Sequence, residues 1–449
     1  MAKELFGTDG IRGLPGTAPL DDATLYATGR ALGAYLRHEH GSAHVLIGMD
    51  TRESGPHIAA LLAAGLQSAE AKVSFAGVIT TPGIACLVRQ NDFQAGVVIS
   101  ASHNPYHDNG VKLFSHAGMK FPDASEEELE KEILRLRMEA VPQNRPALHA
   151  DHSLHVQYLD FLRQHVLSGA DLSGFRMVLD AANGAAYQLG PELFRALGVE
   201  LISMGVDPDG RNINAGCGSL HLDGLQKKVL AEGATLGVAF DGDADRALFV
   251  CGTGRIVNGD GVLLAAARHL KSKAMLKKDT VVATSMSNLG LERVLSSEGI
   301  SLTRAAVGDR YVLEEMLKSG NNLGGEQSGH IIFRDGEATT GDGLLTALRV
   351  METMARMGKP LAELVSDLKV FPQMIQNVRV REKVPFAKVP EIQKAIDAAE
   401  RELDGNGRVV VRYSGTEALA RVMIEAESEE KMKVLAQNIA GAIKGALGA

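Results

Sequence analysis

The chain has 449 residues, 45% of them hydrophobic, and a formal net charge of −8. One hydrophobic core stops growing near about 250–300 residues, so three or four domains are expected. Net negative charge, the absence of tryptophan and only 4% aromatic residues exclude a surface built mainly for nucleic acid or an anionic membrane, but not a local basic pocket for a phosphate. Cys86, Cys217 and Cys251 are far apart and odd in number, so no disulfide framework is read. With no basic-then-apolar leader the expected compartment is a reducing cytoplasm. No run reaches the roughly 18 apolar residues of a membrane helix.

In chain order, Phe6-Gly7-Thr8-Asp9-Gly10-Ile11-Arg12-Gly13 reads either as a flexible turn or as an ordered loop carrying Arg12 to an anion. A helical stripe runs from Leu25 to Tyr35. Val45–Asp50 is a strand, Ile58–Ala69 a helix and Val73–Val78 a strand. The apolar run Ala95–Ile99 then reads as a buried strand that stops before Ser100-Ala101-Ser102-His103-Asn104-Pro105. Pro105 cannot continue a sheet, so Ser102 belongs on a loop at a strand end, where α/β sheets hold ligands. The same order recurs from Met177–Asp180 to Leu236–Phe240, and again from Thr280–Thr284 to Leu323–Gly325. Each copy ends in a polar loop, and such self-similarity predicts three domains of one α/β type. After Phe371-Pro372 the pattern changes to two strands, 408–412 and 421–426, among helices and a further strand. The expected division is 1–150, 151–253, 254–368 and a smaller α+β domain, 369–449.

Four loops hold the chemistry. Asp241-Gly242-Asp243-Ala244-Asp245 places carboxylates at alternate positions, where their oxygens can converge on one hard cation; a solvated acidic turn is the plainer alternative. Mg²⁺ completed by a phosphate oxygen suits three loop carboxylates better than a protein-made Ca²⁺ cage. Arg246 follows them. Arg412-Tyr413-Ser414-Gly415-Thr416 combines hydroxyls, a glycine and a guanidinium fork, with Arg421 on the next strand. It reads as an anion nest or as an ordinary hairpin turn. Glu326-Gln327-Ser328-Gly329-His330 offers the mixed acceptors and donors that sugar hydroxyls need.

Together these loops resemble the α-D-phosphohexomutase family, all four in family order and spread over the whole chain. The resemblance implies three similar α/β domains with mixed sheets around a central cleft, plus a smaller α+β C-terminal domain. It implies that Ser102 is a phosphoserine, and that Ser102, Asp241, Asp243 and Asp245 bind Mg²⁺. Lys112 and His330 become the proton-transfer candidates, with Arg246 and Arg12 as electrostatic support. Gly308, Glu326, Ser328 and His330 become sugar contacts, and Arg412, Ser414, Gly415, Thr416 and Arg421 the phosphate grip. Phe6–Gly13, Ile99–Phe114 and Gly324–Ile332, Gln327 above all, resemble the branch acting on amino sugars. That branch interconverts glucosamine 6-phosphate and glucosamine 1-phosphate through glucosamine 1,6-bisphosphate and feeds UDP-N-acetylglucosamine synthesis. Tyr413 and Ala418 stand where many relatives have proline, which puts the stiffness of the phosphate loop in question. The partner implied is a small sugar phosphate, with no nucleic acid or membrane, and a homodimer is left open. The competing readings are the same chemistry on mannose or glucose phosphates, an aspartate-nucleophile phosphatase, which Asp245 argues against, and a sugar-phosphate sensor.

Overall fold

The computed structural model describes residues 4–7, 9–165, 170–334, 339–414 and 418–448. The first segment comprises β1 (Phe6–Gly7), β2 (Gly10–Gly13), α1 (Asp22–His40), β3 (His44–Met49), α2 (Gly55–Ser68), β4 (Lys72–Val78), α3 (Thr81–Gln90), β5 (Ala95–Ile99), β6 (Asn109–Ser115) and α4 (Asp123–Leu136). Its six strands lie in the order β1-β2-β6-β5-β3-β4. β3 is parallel to β4 and β5, whereas β6 returns antiparallel to β5. Every residue of β5 is buried, as an apolar run covered on both faces requires. Helices α1, α2 and α4 close one face over Val45, Ile47, Val97 and Ile99.

The plan repeats. The second segment has α5 (Ser153–His165), β7 (Arg176–Asp180), α6 (Leu189–Ala196), β8 (Glu200–Met204), α7 (Asp223–Glu232), β9 (Leu236–Phe240), β10 (Ala247–Cys251) and β11 (Ile256–Val257). Its order is β11-β10-β9-β7-β8, with β7 parallel to β8 and β9 and with β10 antiparallel to β9. Gly252-Thr253-Gly254 makes the turn into β11, which pairs with β10. The third segment has α8 (Gly259–Ser272), β12 (Thr280–Thr284), α9 (Leu289–Ser297), β13 (Ser301–Ala305), α10 (Asp309–Ser319), β14 (Leu323–Gly325), β15 (Ile331–Phe333), α11 (Gly343–Met357) and α12 (Leu361–Leu364). β14 runs parallel to β12 and antiparallel to β15. The last segment is different: β16 (Gln373–Arg379), α13 (Pro390–Leu403), β17 (Gly407–Tyr413), β18 (Leu419–Ala426) and α14 (Glu429–Leu447), with an antiparallel sheet β16-β18-β17. Three α/β segments with mixed sheets and a distinct C-terminal domain bear out the expected fold class.

The chain forms two compact units, Met1–Thr284 with Ala305–Ser366, and Ser285–Arg304 with Asp367–Ala449. Most of the third repeat thus lies in the larger unit, while α9 and most of β13 belong to the smaller. The tie is chemical. The Asn288 side chain accepts from Gly290 N and Phe371 N and donates to Phe371 O. The Arg293 guanidinium sits 4.8 Å over the Phe371 ring and donates to Gly405 O. Among the described residues no helix is long and apolar enough to cross a membrane.

Candidate active site

Three equivalent hairpins of the larger unit carry the expected residues. In each repeat the connection from the last parallel strand to the antiparallel strand beside it is polar: 100–108 after β5, 241–246 after β9 and 326–330 after β14. Ser102 is buried, with φ at +52°, and its Oγ donates to Asp241 Oδ2 over 2.6 Å. The first two loops touch closely enough that a Cβ on Gly242 would lie 2.5 Å from Ser102 O, so only glycine fits there. Thr81 N donates to Asp243 O, Gly343 N to Ala244 O and Ala247 N to Gly329 O. The acidic loop is therefore pinned by backbone bonds from the other two repeats.

Asp241, Asp243 and Asp245 are all buried, and one oxygen of each lies within 4.8 Å of the others. Three carboxylates this close repel one another. Burial, followed by the charges of Asp245 and Asp243, pushes Asp241 well above the usual carboxylate range. Burial also works against the Asp245 anion, but Lys112, His330 and Arg246 outweigh it and hold that carboxyl far below the usual range. Asp243 Oδ2 accepts from Thr81 Oγ1 at 2.6 Å and Lys112 Nζ at 2.8 Å. Asp243 Oδ1 and Asp245 Oδ1 are buried with no hydrogen-bond partner. Orphaned anionic oxygens beside a serine hydroxyl form an all-oxygen donor set suited to a hard divalent cation, so the residues fit a bound metal ion.

A chain of alternating charges leads away from the triad. Lys112, on β6, is almost fully buried and also lies 3.2 Å from Asp9 and 3.8 Å from Asp245. Burial opposes its charge, but Asp243 and Asp9 more than compensate and raise its pKa. Asp9 pairs in turn with Arg12, on β2, and with Lys120, which reaches Asp309 Oδ2 at 2.7 Å. Arg246 donates its backbone N–H to Asp241 Oδ1 at 3.2 Å. His330 is buried, and its Nε2 accepts from Gly341 N at 2.9 Å. That bond places the ring proton on Nδ1, 3.7 Å from Asp245 Oδ2. Burial disfavours the charged ring, but Asp245 and Asp309 outweigh it and raise its pKa; taking up the second proton would break the Gly341 bond. His103, whose Nδ1 is 3.4 Å from Ser102 Oγ, is pushed down to about 4 by burial with the charges of Arg246 and Arg12.

In the 326–330 loop, Glu326 accepts from Gly308 N at 3.1 Å and from Ser328 Oγ at 3.0 Å, so three of the expected residues form one cluster. Gln327 Nε2 donates to Asp260 Oδ2 at 3.2 Å. In the smaller unit, Arg412 and Arg421 are directly opposite on β17 and β18. Arg421 donates to the buried Ser414 Oγ at 3.4 Å. Burial, then the Arg421 charge, lowers the Arg412 pKa: two cations share one patch, which an anion would relieve. Gly415 and Thr416 lie outside the described residues. Tyr413 stacks on Phe386 at 4.3 Å and donates to Val384 O at 2.6 Å, which anchors the end of the strand. Sequence reasoning assigned no role to Thr81, Asp9 or Lys120. The charged pair Asp9 and Arg12 in a glycine-rich stretch was a usable signal; Thr81 offered none, since Asp243 is 162 residues away.

Comparison with known proteins defines the class. The models for the phosphoglucomutase/phosphomannomutase alpha/beta/alpha domains I, II and III match residues 3–139, 156–254 and 258–371, and that for the C-terminal domain matches 376–442. The chain belongs to the phosphoglucomutase/phosphomannomutase family. Within it, the chain is 55% identical to the phosphoglucosamine mutase of Koribacter versatilis, covering 99% of this chain and 98% of the relative. It is 52% identical to that of Solibacter usitatus over the full length of both. Among solved structures, a phosphoglucomutase/phosphomannomutase family protein from Burkholderia thailandensis superposes with a TM-score of 0.80 at 25% identity, covering 99% and 98% of the two chains. The N-acetylphosphoglucosamine mutase of Aspergillus fumigatus, in complex with GlcNAc-6P and magnesium, shares the fold with a TM-score of 0.68 at 18% identity, covering 99% and 97%.

Proposed function

We infer that this chain is a phosphoglucosamine mutase: it interconverts glucosamine 6-phosphate and glucosamine 1-phosphate, with Ser102 as the phosphoryl carrier. The observation that carries this reading is the Ser102 hydroxyl, buried and 2.6 Å from a carboxylate of a triad that keeps two orphaned oxygens. Asp241, Asp243 and Asp245, with an oxygen of the Ser102 phosphate, would hold Mg²⁺, which when bound withdraws charge from the phosphoryl group. Phosphoryl transfer leaves little covalent work to the protein beyond placement and charge. Lys112 and Arg246 supply positive charge beside the triad, and Arg12 extends it. Glu326, Ser328 and Gly308 offer hydroxyl contacts, and Arg412, Ser414, Gly415, Thr416 and Arg421 a phosphate grip. One serine must serve two hydroxyls of the sugar, so glucosamine 1,6-bisphosphate has to be bound in two orientations.

Lys112 and His330 are the two general-base candidates, and each must first free a lone pair. Lys112 is held charged by Asp243 and Asp9, and would first need to shed a proton. His330 keeps one lone pair, but spends it on Gly341 N. The family resemblance implies a supply of UDP-N-acetylglucosamine synthesis, and three scattered cysteines suit a cytoplasmic enzyme. The test is Ser102→Ala assayed with Mg²⁺ and the bisphosphate. Loss of nearly all turnover, together with loss of phosphate from the 102 tryptic peptide, is expected; wild-type turnover by this variant would contradict the reading.

A further inference from the structure

We propose that Arg52, acting through Asp50 and Ser100, is the positioning residue that sets the backbone of Ser102 and so the aim of its hydroxyl; this rests on Ser102 being the phosphoryl carrier. Arg52 follows β3 and is completely buried. Its guanidinium has five N–H groups, and all five are used. Nε donates to Asp50 Oδ2 at 2.8 Å. Nη2 donates to Ser102 O at 3.0 Å and Asn104 O at 2.9 Å. Nη1 donates to Asp108 O at 3.0 Å and to Pro105 O. Four carbonyls of the serine loop therefore converge on one side chain.

The amide side of Ser102 is held by the same assembly. Asp50 Oδ2 accepts from Ser100 Oγ at 2.6 Å, and that oxygen accepts from Ser102 N at 2.9 Å. Ser102 is thus gripped at both its N–H and its C=O, with Asn214 Nδ2 adding a bond of 2.9 Å to the carbonyl. The grip matters because φ at Ser102 is +52°, a left-handed conformation that a serine seldom adopts unless its surroundings impose it. Released, the loop would relax towards negative φ and swing Oγ away from Asp241. A planar fork is needed: a lysine has three N–H groups and no fixed geometry, and cannot reproduce five directed bonds.

The test compares Arg52→Lys and Ser100→Ala with the wild-type chain. It measures circular dichroism, thermal midpoint, kcat and KM for glucosamine 1-phosphate with Mg²⁺ and glucosamine 1,6-bisphosphate, and the rate at which Ser102 gains phosphate, read by mass. Positioning predicts native dichroism, KM within about twofold and kcat lowered about 10- to 100-fold for Arg52→Lys, with phosphate uptake slowed by a similar factor. Ser100→Ala, which removes only the acceptor for Ser102 N–H, should show the same split with a smaller loss, and it decides the matter alone if Arg52→Lys does not fold. Lowered thermal midpoints with wild-type kcat would make the assembly merely structural and overturn the proposal. Wild-type turnover without phosphate ever residing on Ser102 would overturn the underlying reading, and the proposal with it; the wild-type control separates that failure from the first.

Discussion

Lys112 faces three carboxylates from a position where almost no water reaches it: Asp243 at 2.8 Å, Asp9 at 3.2 Å and Asp245 at 3.8 Å. Removing its charge leaves buried anions unpaired, which is far costlier than losing a surface pair. Lys112→Met is therefore expected to lower kcat by about a hundredfold or more in a chain that still folds. A steady-state assay at saturating substrate checks this, and a loss below threefold would remove Lys112 from the mechanism. For Arg421 the proposed role predicts a different outcome. A phosphate grip that holds ground state and transition state alike changes KM, so Arg421→Gln should raise KM about tenfold or more and leave kcat within about threefold. A kcat loss with unchanged KM would contradict a gripping role. At this scale the aspartate alternation was legible because one loop contains all three groups. Thr81 and Lys120 were not, because their partners come from distant parts of the chain and no local pattern announces them, whereas Asp9 had Arg12 three residues on as a local signal. Arg52 was hidden for a related reason: in sequence, an arginine after a strand looks the same whether solvated or buried.

Among the helices, α11 carries the clearest pH signal. Asp342 caps it by accepting from Leu345 N at 3.0 Å, receives the Tyr158 hydroxyl at 2.8 Å and is pushed up to about 6 by burial. A carboxyl whose pKa is raised on folding costs nothing below its unfolded value near 4. It opposes folding progressively as pH rises to 6, and fully above that, by about 2–3 kcal/mol. Asp342→Asn keeps a capping oxygen and removes the titration. Its stability relative to wild type should improve between pH 4.5 and pH 8, measured by thermal denaturation in matched buffers, and parallel profiles would refute this. Helices α1 and α2 pack through glycines: a Cβ on Gly65 would lie 2.1 Å from Tyr26 O, and one on Gly29 2.1 Å from Leu62 O. Gly65→Ala should destabilise the first domain by about 1–3 kcal/mol or more through overpacking, seen as a lower thermal midpoint; an unchanged midpoint would count against that close crossing. The parallel strands were legible as apolar runs ending in glycine or polar residues, whereas the antiparallel strands β6, β10 and β15 and the short β1, β2 and β11 were not. Helices α3, α7, α8, α10 and the short α12 were not legible in the sequence. In α7 and α10 only two residues each are buried, Leu225 and Val229, and Val312 and Met316, too few to mark a periodic stripe.

Over the whole chain, one βα plan used three times places a polar hairpin loop after an equivalent strand each time, and that repetition could be read from sequence because each copy ends in a glycine-bearing strand. The division into units could not, since it depends on Asn288 and Arg293 bonding to residues more than 80 positions away. Because Thr81, Gly343 and Gly329 pin the acidic loop and the strand that follows it by backbone bonds, chelating the metal should abolish turnover while leaving the dichroism spectrum unchanged, and added Mg²⁺ should restore activity; unfolding on chelation would assign the ion a structural role. Mutase chemistry on glucosamine phosphates can be checked by comparing kcat/KM for glucosamine 1-phosphate, glucose 1-phosphate and mannose 1-phosphate, each with Mg²⁺ and its matching bisphosphate. A large preference for the amino sugar is predicted. Equal or greater activity on the glucose or mannose phosphate would contradict the substrate assignment, and no activity on any of them, with Ser102 phosphorylated by mass, would contradict the mutase itself.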